Sequence, residues 1–204
     1  HCGPLDPDAE GVLVICVGKA TKLFDFLTAF PKTYTARIVF GKTTDTQDGS
    51  GTVLTESVPE FSINTLDETI SSFSGKIRQI PPMYSAIHKN GQRLYELARK
   101  GETVEIEPRE VEIYSISRVS EIENNACSIS VTCSKGTYIR TICHDIGQKL
   151  GCGAYMQHLL RTSAAGRNVE NARKISEIEE MMKRNDLSFL VDTSDAIDFM
   201  PVCN

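Results

Sequence analysis

The chain has 204 residues, of which 40% are hydrophobic and 24% charged, with a formal net charge of −5. That is enough chain for one domain with a real core or two small ones, and the composition excludes disordered and collagen-like classes. No apolar run approaches a membrane span, and the opening residues lack the basic start and apolar stretch of a secretory signal.

The elements read as follows in chain order. Gly11 to Gly18 is a continuous apolar run bounded by glycines and predicts a buried strand. Lys19 to Phe30 predicts a helix stopped by Pro31, and Lys32 to Phe40, rich in β-branched and aromatic residues, a strand. Gly41 to Gly51 reads as a loop. Thr65-x-x-Glu68 is a capping-box pattern opening a short helix. Asn90-Gly91 is a turn signal, followed by a helix from Gln92 to Lys100 that Gly101 stops. Val104 to Val119 and Ala126 to Ser134 predict strands joined by a polar turn at Asn124-Asn125. Tyr138 to Leu150 predicts an amphipathic helix capped by Gly151, and Ser176-x-x-Glu179 opens an acidic one. With no βαβ alternation, no internal repeat and no linker, the fold class is α+β, helices inserted among mainly antiparallel strands.

Charge is distributed unevenly. From Lys76 to Lys100 six basic residues face one acid, Glu96, whereas from Ser176 to Asp198 seven acids face two bases. A phosphate backbone responds to the local patch rather than to the net sign. The seven cysteines are odd in number and form no C-x-x-C pair, so they support neither a disulfide framework nor a zinc site and read as reduced thiols of a cytoplasmic protein.

Taken singly, the residues able to do chemistry have bland readings. Asp6, forced out of the helical region by Pro7, is an Asp-Pro turn just before a strand. Tyr34 is a strand residue. Arg140 opens a helix, although an arginine there could fork onto a carboxylate. Ser85 and His88 show no nucleophile–base pattern, and Cys143-His144 reads as packing rather than as metal ligands.

Their arrangement is more specific. His1-Cys-Gly-Pro-Leu-Asp6-Pro with Gly18-Lys-Ala-Thr-Lys22 resembles the catalytic motif of TruB-family pseudouridine synthases. Lys32-Thr-Tyr34 followed by Gly41-Lys-Thr-Thr-Asp45-Thr46-Gln-Asp48 resembles that family's second segment. Gln79-Ile-Pro-Pro-Met-Tyr84-Ser-Ala with Leu94-Tyr-Glu-Leu-Ala-Arg99-Lys-Gly101 resembles its RNA-gripping insertion. Ser134-Lys135-Gly-Thr-Tyr138-Ile-Arg140 resembles a third active-site motif and Leu159-Leu-Arg161-Thr a fourth. The matches fall in family order across almost the whole chain. The departures are Cys2 for a usual Thr, Pro4 for a small residue, His88 for a common Lys, Leu160 for a common Arg, and the loss of a Gly-x-Phe ending after Thr162.

The resemblance implies one catalytic domain over residues 1–204 with an RNA-gripping insertion at about 76–109. The start on His1 suggests truncation at the N-terminus, and a C-terminal PUA-like domain is expected to be absent. It implies isomerisation of a T-loop uridine of tRNA, position 55, to pseudouridine, with no cofactor and no metal. Asp6 would be the carboxylate at the sugar–base junction, adding to the sugar or base or removing the 2′ proton. Arg140 would hold Asp6 ionised, and Tyr34 would stack on the base and take the C5 proton. Tyr138 would line the pocket, Leu159 would pack beneath the base, and His1 would fill the vacated stack. Lys19, Lys22, Tyr84, His88, Lys89, Arg93, Arg99, Lys135 and Arg161 would contact RNA. The partner implied is the tRNA T stem-loop, bound by a monomer with no membrane attachment. Two alternatives carry different expectations: a tRNA-folding chaperone, which needs no Asp6, and the guide-RNA-dependent relative, which needs protein partners.

Overall fold

The computed structural model describes residues 1–85, 87–89, 91–102 and 104–196, without the side chain of Lys89. Its elements in chain order are β1 (Glu10–Gly11), a 3-10 segment (Gly18–Leu23), α1 (Phe24–Ala29), β2 (Lys32–Phe40), β3 (Lys42–Thr44), β4 (Val53–Glu56) and α2 (Ile63–Ser71). There follow β5 (Gly75–Gln79), β6 (His88–Lys89), β7 (Gln92–Arg93), α3 (Leu94–Arg99), β8 (Arg109–Arg118) and β9 (Ala126–Cys133). The last are α4 (Ile139–Lys149), β10 (Ala154–Ala164), β11 (Arg167–Asn168), a 3-10 turn (Val169–Asn171) and α5 (Ile175–Lys183).

One sheet runs β1-β10-β2-β9-β8-β5, with β11 on the side of β10. All its pairs are antiparallel except β1 with β10. This is the α+β class expected. Strand β2 lies in the interior of the sheet, and its residues alternate between buried and half-buried, as a strand with one face on the core must. Tyr34, Ala36, Ile38 and Phe40 meet Ile129 and Val131 of β9 and Ile139, Ile142, Cys143 and Ile146 of α4 in a single core. The α4 residues recur at helical spacing, so one stripe of the helix lies on the sheet. Each fully buried Ile or Leu there is worth about 1.5–3 kcal/mol. A Cβ on Gly147 would stand 2.1 Å from the Ala154 backbone N, so only glycine lets α4 lie this close to the start of β10.

Several expectations shift. The apolar run from Gly11 to Gly18 is not a buried strand. Only Glu10–Gly11 pairs as a strand, and beyond it Leu13, Ile15 and Val17 are 43%, 59% and 71% exposed. The run lies along an edge, so alternate side chains face outward. The expected helix from Lys19 divides into the 3-10 segment and α1. The loop from Gly41 contains β3, paired with β4. Helix α2 starts earlier than the Thr65 box: the Ser62 hydroxyl accepts from the Thr65 N–H at 3.1 Å. In α5 the Glu177 carboxylate accepts from the Lys174 N–H at 2.7 Å, two residues before the expected box.

Asn90 of the expected turn lies outside the described residues, but β6 and β7 pair across it, His88 with Arg93. That pairing takes Gln92 and Arg93 out of the expected helix, which begins at Leu94. Asn124 and Asn125 have φ of 51° and 59°, the left-handed pair of a tight hairpin turn. Strands β5 and β10 were not expected. No helix among the described residues is long and apolar enough to cross a membrane.

Candidate active site

Asp6 sits on the loop before β1, where its carbonyl accepts from the Ala9 N–H at 3.0 Å. The turn faces α4, whose second residue is Arg140. The start of α4 is itself held from β5. Gln79, 2% exposed, accepts from the Tyr138 N–H at 2.8 Å and donates to the Tyr138 carbonyl at 3.0 Å. A buried side-chain amide bonded on both sides fixes the backbone that aims Arg140.

The Arg140 side chain is 4% exposed and lies between two carboxylates. Its Nε is 2.8 Å from Asp6 Oδ2, and Nη2 donates to Asp6 Oδ1 at 3.3 Å. Nη1 donates to Asp48 Oδ2 at 3.3 Å and to the Thr46 carbonyl at 3.1 Å, and Nη2 also donates to the Tyr84 carbonyl at 2.9 Å. Two guanidinium nitrogens face the one carboxylate, Nη2 through a hydrogen bond and Nε at ion-pair distance without hydrogen-bond geometry, and this sets orientation as well as charge. Asp48 is held from its other side: its Oδ1 accepts from the Thr46 hydroxyl at 2.7 Å, the Ser50 hydroxyl at 2.6 Å and the Ser50 N–H at 3.0 Å.

The electrostatics qualify the expected role of Arg140. Burial pushes the Asp6 carboxyl above its ordinary value of 3.8, Arg140 pulls it back, and Asp48 pushes it up again, with the balance upward. Arg140 therefore orients Asp6 and limits the rise without reversing it. A carboxylate shifted this way is more basic than one in water.

Asp6, Tyr34, Tyr138, Arg140 and Leu159 line one cavity of about 100 Å³ together with Pro4, Leu5, Thr137 and Ile139. That is well below the ~300–1,000 Å³ of clefts for drug-sized ligands and suits a single flat ring. Burial raises the Tyr34 phenol, and the neighbouring Arg161 charge opposes the rise without reversing it. Burial likewise raises Tyr138, against Ser85 and Arg140.

The remaining predicted residues divide. His1, Lys19, Lys22, His88, Arg93, Arg99 and Lys135 are exposed. Arg93 and Arg99 hold their guanidiniums 5.9 and 5.4 Å from the Tyr95 ring. Tyr84 is half-buried and lines a second cavity of about 180 Å³ with Asp45, Met83, Ala98, Gly101 and Glu102. The Lys89 side chain lies outside the described residues.

Arg161 departs from the expectation of an RNA contact. It is 1% exposed and its guanidinium donates to the backbone carbonyls of Val12 at 2.7 Å, Gly3 at 3.0 Å and Pro4 at 3.4 Å. It faces Tyr34 directly across β10 and β2. A cation 1% exposed, with all three nitrogens donating to backbone carbonyls, presents no open face to a phosphate. The Arg161 backbone is as close: its carbonyl accepts from the Val12 N–H at 2.9 Å. A Cβ on Gly11, at φ +111°, would stand 2.1 Å from that carbonyl, so glycine is required there.

Asp48, Gln79 and Lys32 were not assigned roles from sequence. Asp48 lay within a quoted motif, and its signal was spacing from Asp45 and Thr46. Lys32 is 6% exposed and donates to the Thr28 and Phe30 carbonyls; nothing in the sequence marks a lysine as buried.

The family model for the N-terminal domain of TruB family pseudouridylate synthases matches residues 1–139, and that for the C-terminal domain of tRNA pseudouridylate synthase B matches residues 140–193. A tRNA pseudouridine synthase B of Listeria welshimeri is 43% identical over 98% of this chain and 68% of its own. One of Streptococcus pneumoniae is 47% identical over 93% of this chain and 67% of its own. The chain thus spans about two thirds of these relatives. Among solved structures, a chain of a Cbf5-Nop10-Gar1 complex superposes with a TM-score of 0.68 at 24% identity, over 96% of this chain and 49% of that one. A chain of an archaeal box H/ACA Nop10-Cbf5 complex gives 0.67 at 20%, over 96% and 51%. At such identities the likeness is one of fold. Two family models meeting end to end across the chain, and relatives above 40% identity, establish that it belongs to the TruB family of pseudouridylate synthases.

Proposed function

We propose that the chain is a tRNA pseudouridine synthase that isomerises a T-loop uridine, at position 55, by flipping the base into the Asp6 cavity. The observation that carries this is the Asp6 carboxylate, forked by Arg140 at the wall of a single-ring cavity lined by two tyrosines. The relatives above 40% identity are named as tRNA pseudouridine synthases, which supports tRNA as the substrate and favours a stand-alone enzyme over the guide-RNA-dependent and chaperone readings.

The chemistry follows from the site. A uridine in a stacked loop presents neither C1′ nor C5 to a buried carboxylate. It must leave the stack at a cost of about a few kcal/mol. Leu159 and the Tyr34 ring offer apolar surface to the extruded base, and the exposed cations Lys19, Lys22 and Lys135 supply phosphate contacts. The segment at about 76–109, carrying Arg93 and Arg99, grips the RNA by shape.

Once the base is in place, the C1′–N1 bond breaks, the uracil turns, and C1′–C5 forms. A proton leaves C5 and one is gained at N1, so atoms balance within the nucleotide. Asp6 adds to C1′, adds to the base, or takes the 2′ proton; each route uses an ionised, more than usually basic carboxylate. Tyr34 takes the C5 proton, a role that burial opposes and the neighbouring Arg161 favours.

The test is release of tritium from C5-labelled uridine in tRNA. Release that disappears when the T-loop target uridine is replaced by cytidine is expected. Release unchanged by that replacement would place the modified uridine elsewhere and overturn the T-loop assignment.

A further inference from the structure

The loop that carries Asp6 begins at a buried sulfur. Cys2 is 1% exposed, and its Sγ lies 3.5 Å from Sγ of Cys16, fourteen residues on. The backbone is already joined there: the Cys2 N–H donates to the Val14 carbonyl at 2.9 Å. Val14 and Cys16 share the inward face of the edge segment, and both pack on the small core of Cys2, Leu27 and Ala165. Both thiols are free.

We propose that Cys2 and Cys16 form a modification site, a dithiol that small-molecule disulfides oxidise to an intramolecular disulfide ringing the Asp6 loop. The sulfurs need to approach by about 1.5 Å to reach the ~2.05 Å of a disulfide bond. Of the other described cysteines, Cys127, Cys133, Cys143 and Cys152 are buried. Cys16 is the half-exposed partner, flanked by the outward Ile15 and Val17, so an oxidant in solution meets it first.

The exchange balances. The Cys16 thiolate attacks the external disulfide RSSR, forming a protein–S–S–R bond and releasing RS⁻, which takes up the proton that Cys16 lost. The Cys2 thiolate then attacks Cys16 Sγ, the mixed disulfide breaks, and a second RS⁻ leaves and is protonated. Two protein thiols are oxidised and one RSSR is reduced to two RSH. Burial, then the adjoining Cys16 thiol, pushes Cys2 up to about 11. A raised thiol is a slow nucleophile, so the half-exposed Cys16 reacts first and Cys2 follows because its sulfur is already 3.5 Å away. The closed ring encloses Gly3 to Ile15, and so Asp6. Such a link removes freedom chiefly from the unfolded chain, clasping the catalytic loop in place.

The site is independent of the catalytic reading and is tested without turnover. The folded chain is incubated with oxidised glutathione, alkylated, digested without reductant and analysed by mass spectrometry. The expected product is a Cys2 peptide joined to a Cys16 peptide, two hydrogens lighter than the pair, and absent after dithiothreitol. The oxidised chain should melt several degrees higher than the reduced one. The same rise is expected in Cys203→Ser and none in Cys16→Ser. Glutathione on Cys16 with Cys2 still open to alkylation would overturn the proposal. So would pairing of either thiol elsewhere, no modification at all, or a link without a rise in melting temperature.

Discussion

Two arginines are buried within this domain to 4% and 1% exposure, and they are held in opposite ways. Arg140 lies between the carboxylates of Asp6 and Asp48. Arg161 meets the carbonyls of Val12, Gly3 and Pro4 and its charge lies beside the Tyr34 phenol. Both arginines act on one loop, Arg140 on the Asp6 side chain and Arg161 on the backbone. An ion pair leaves a carboxylate able to change its charge and bonding during a reaction. A fan of carbonyl bonds fixes geometry and has no proton to exchange. A guanidinium remote from carboxylates is costly to bury unless every donor is used, and that demand makes Arg161 a tie between β10, the segment after β1 and the loop before it.

The comparison sets the order of expected effects. Asp6→Asn removes the carboxylate proposed to react and leaves a near-isosteric amide against Arg140. Turnover should fall by about 10⁴-fold, the upper end of what a positioned acid or base supplies, with tRNA affinity changed less than about threefold on filter binding. Arg140→Lys keeps the charge and loses the fork. Here kcat should drop by about 10²-fold, since a misplacement of about 1 Å costs that much. Arg161→Lys leaves loop carbonyls unpaired. It should lower stability by about 1–3 kcal/mol in urea titration, and reduce kcat about tenfold with KM unchanged. Equal KM effects in Arg140→Lys and Arg161→Lys, with kcat untouched, would erase the distinction between them.

The smallest effect is in pH dependence. Asp48 pushes the Asp6 carboxyl up, so the acidic limb of kcat/KM should move to lower pH in Asp48→Asn. Stability carries the same sign. Because the folded-state value of Asp6 lies above its ordinary 3.8, the folded chain keeps this proton where the unfolded chain has lost it. That contribution is present below 3.8 and lost as pH rises through the folded value. Asp6→Asn should remove this part of the slope in urea titrations across the window, whereas Arg161→Lys should retain it.

The sequence made some of this legible and hid the rest for physical reasons. Asp6, Tyr34, Tyr138, Arg140 and Leu159 were each assigned to one pocket by the family resemblance, and they line one cavity. Strand β2 was readable because its residues alternate under a single constraint. Strand β10 was not: Gln157, His158, Arg161 and Thr162 interrupt its pattern, and its register with β2 shifts twice. The run from Gly11 to Gly18 misled because apolar character records only that water is avoided. It does not show that half the run lies outward on an edge. Arg161 misled in the converse way, since a cation in the Leu159-Leu-Arg161-Thr segment was expected from the family resemblance to meet RNA. Its burial depends on carbonyls of Gly3 and Pro4, more than 150 residues away in the chain. Gln79 was hidden likewise, because its bonds to Tyr138 span 59 residues.

The central claim is that the carboxylate of Asp6, forked by Arg140, does the chemistry. It is tested most directly by tritium release from C5-labelled tRNA in single turnover, with the wild-type chain and Asp6→Asn at equal RNA occupancy. Release by the wild type with none above background in Asp6→Asn is the expected result. Release by Asp6→Asn at the wild-type rate would contradict it.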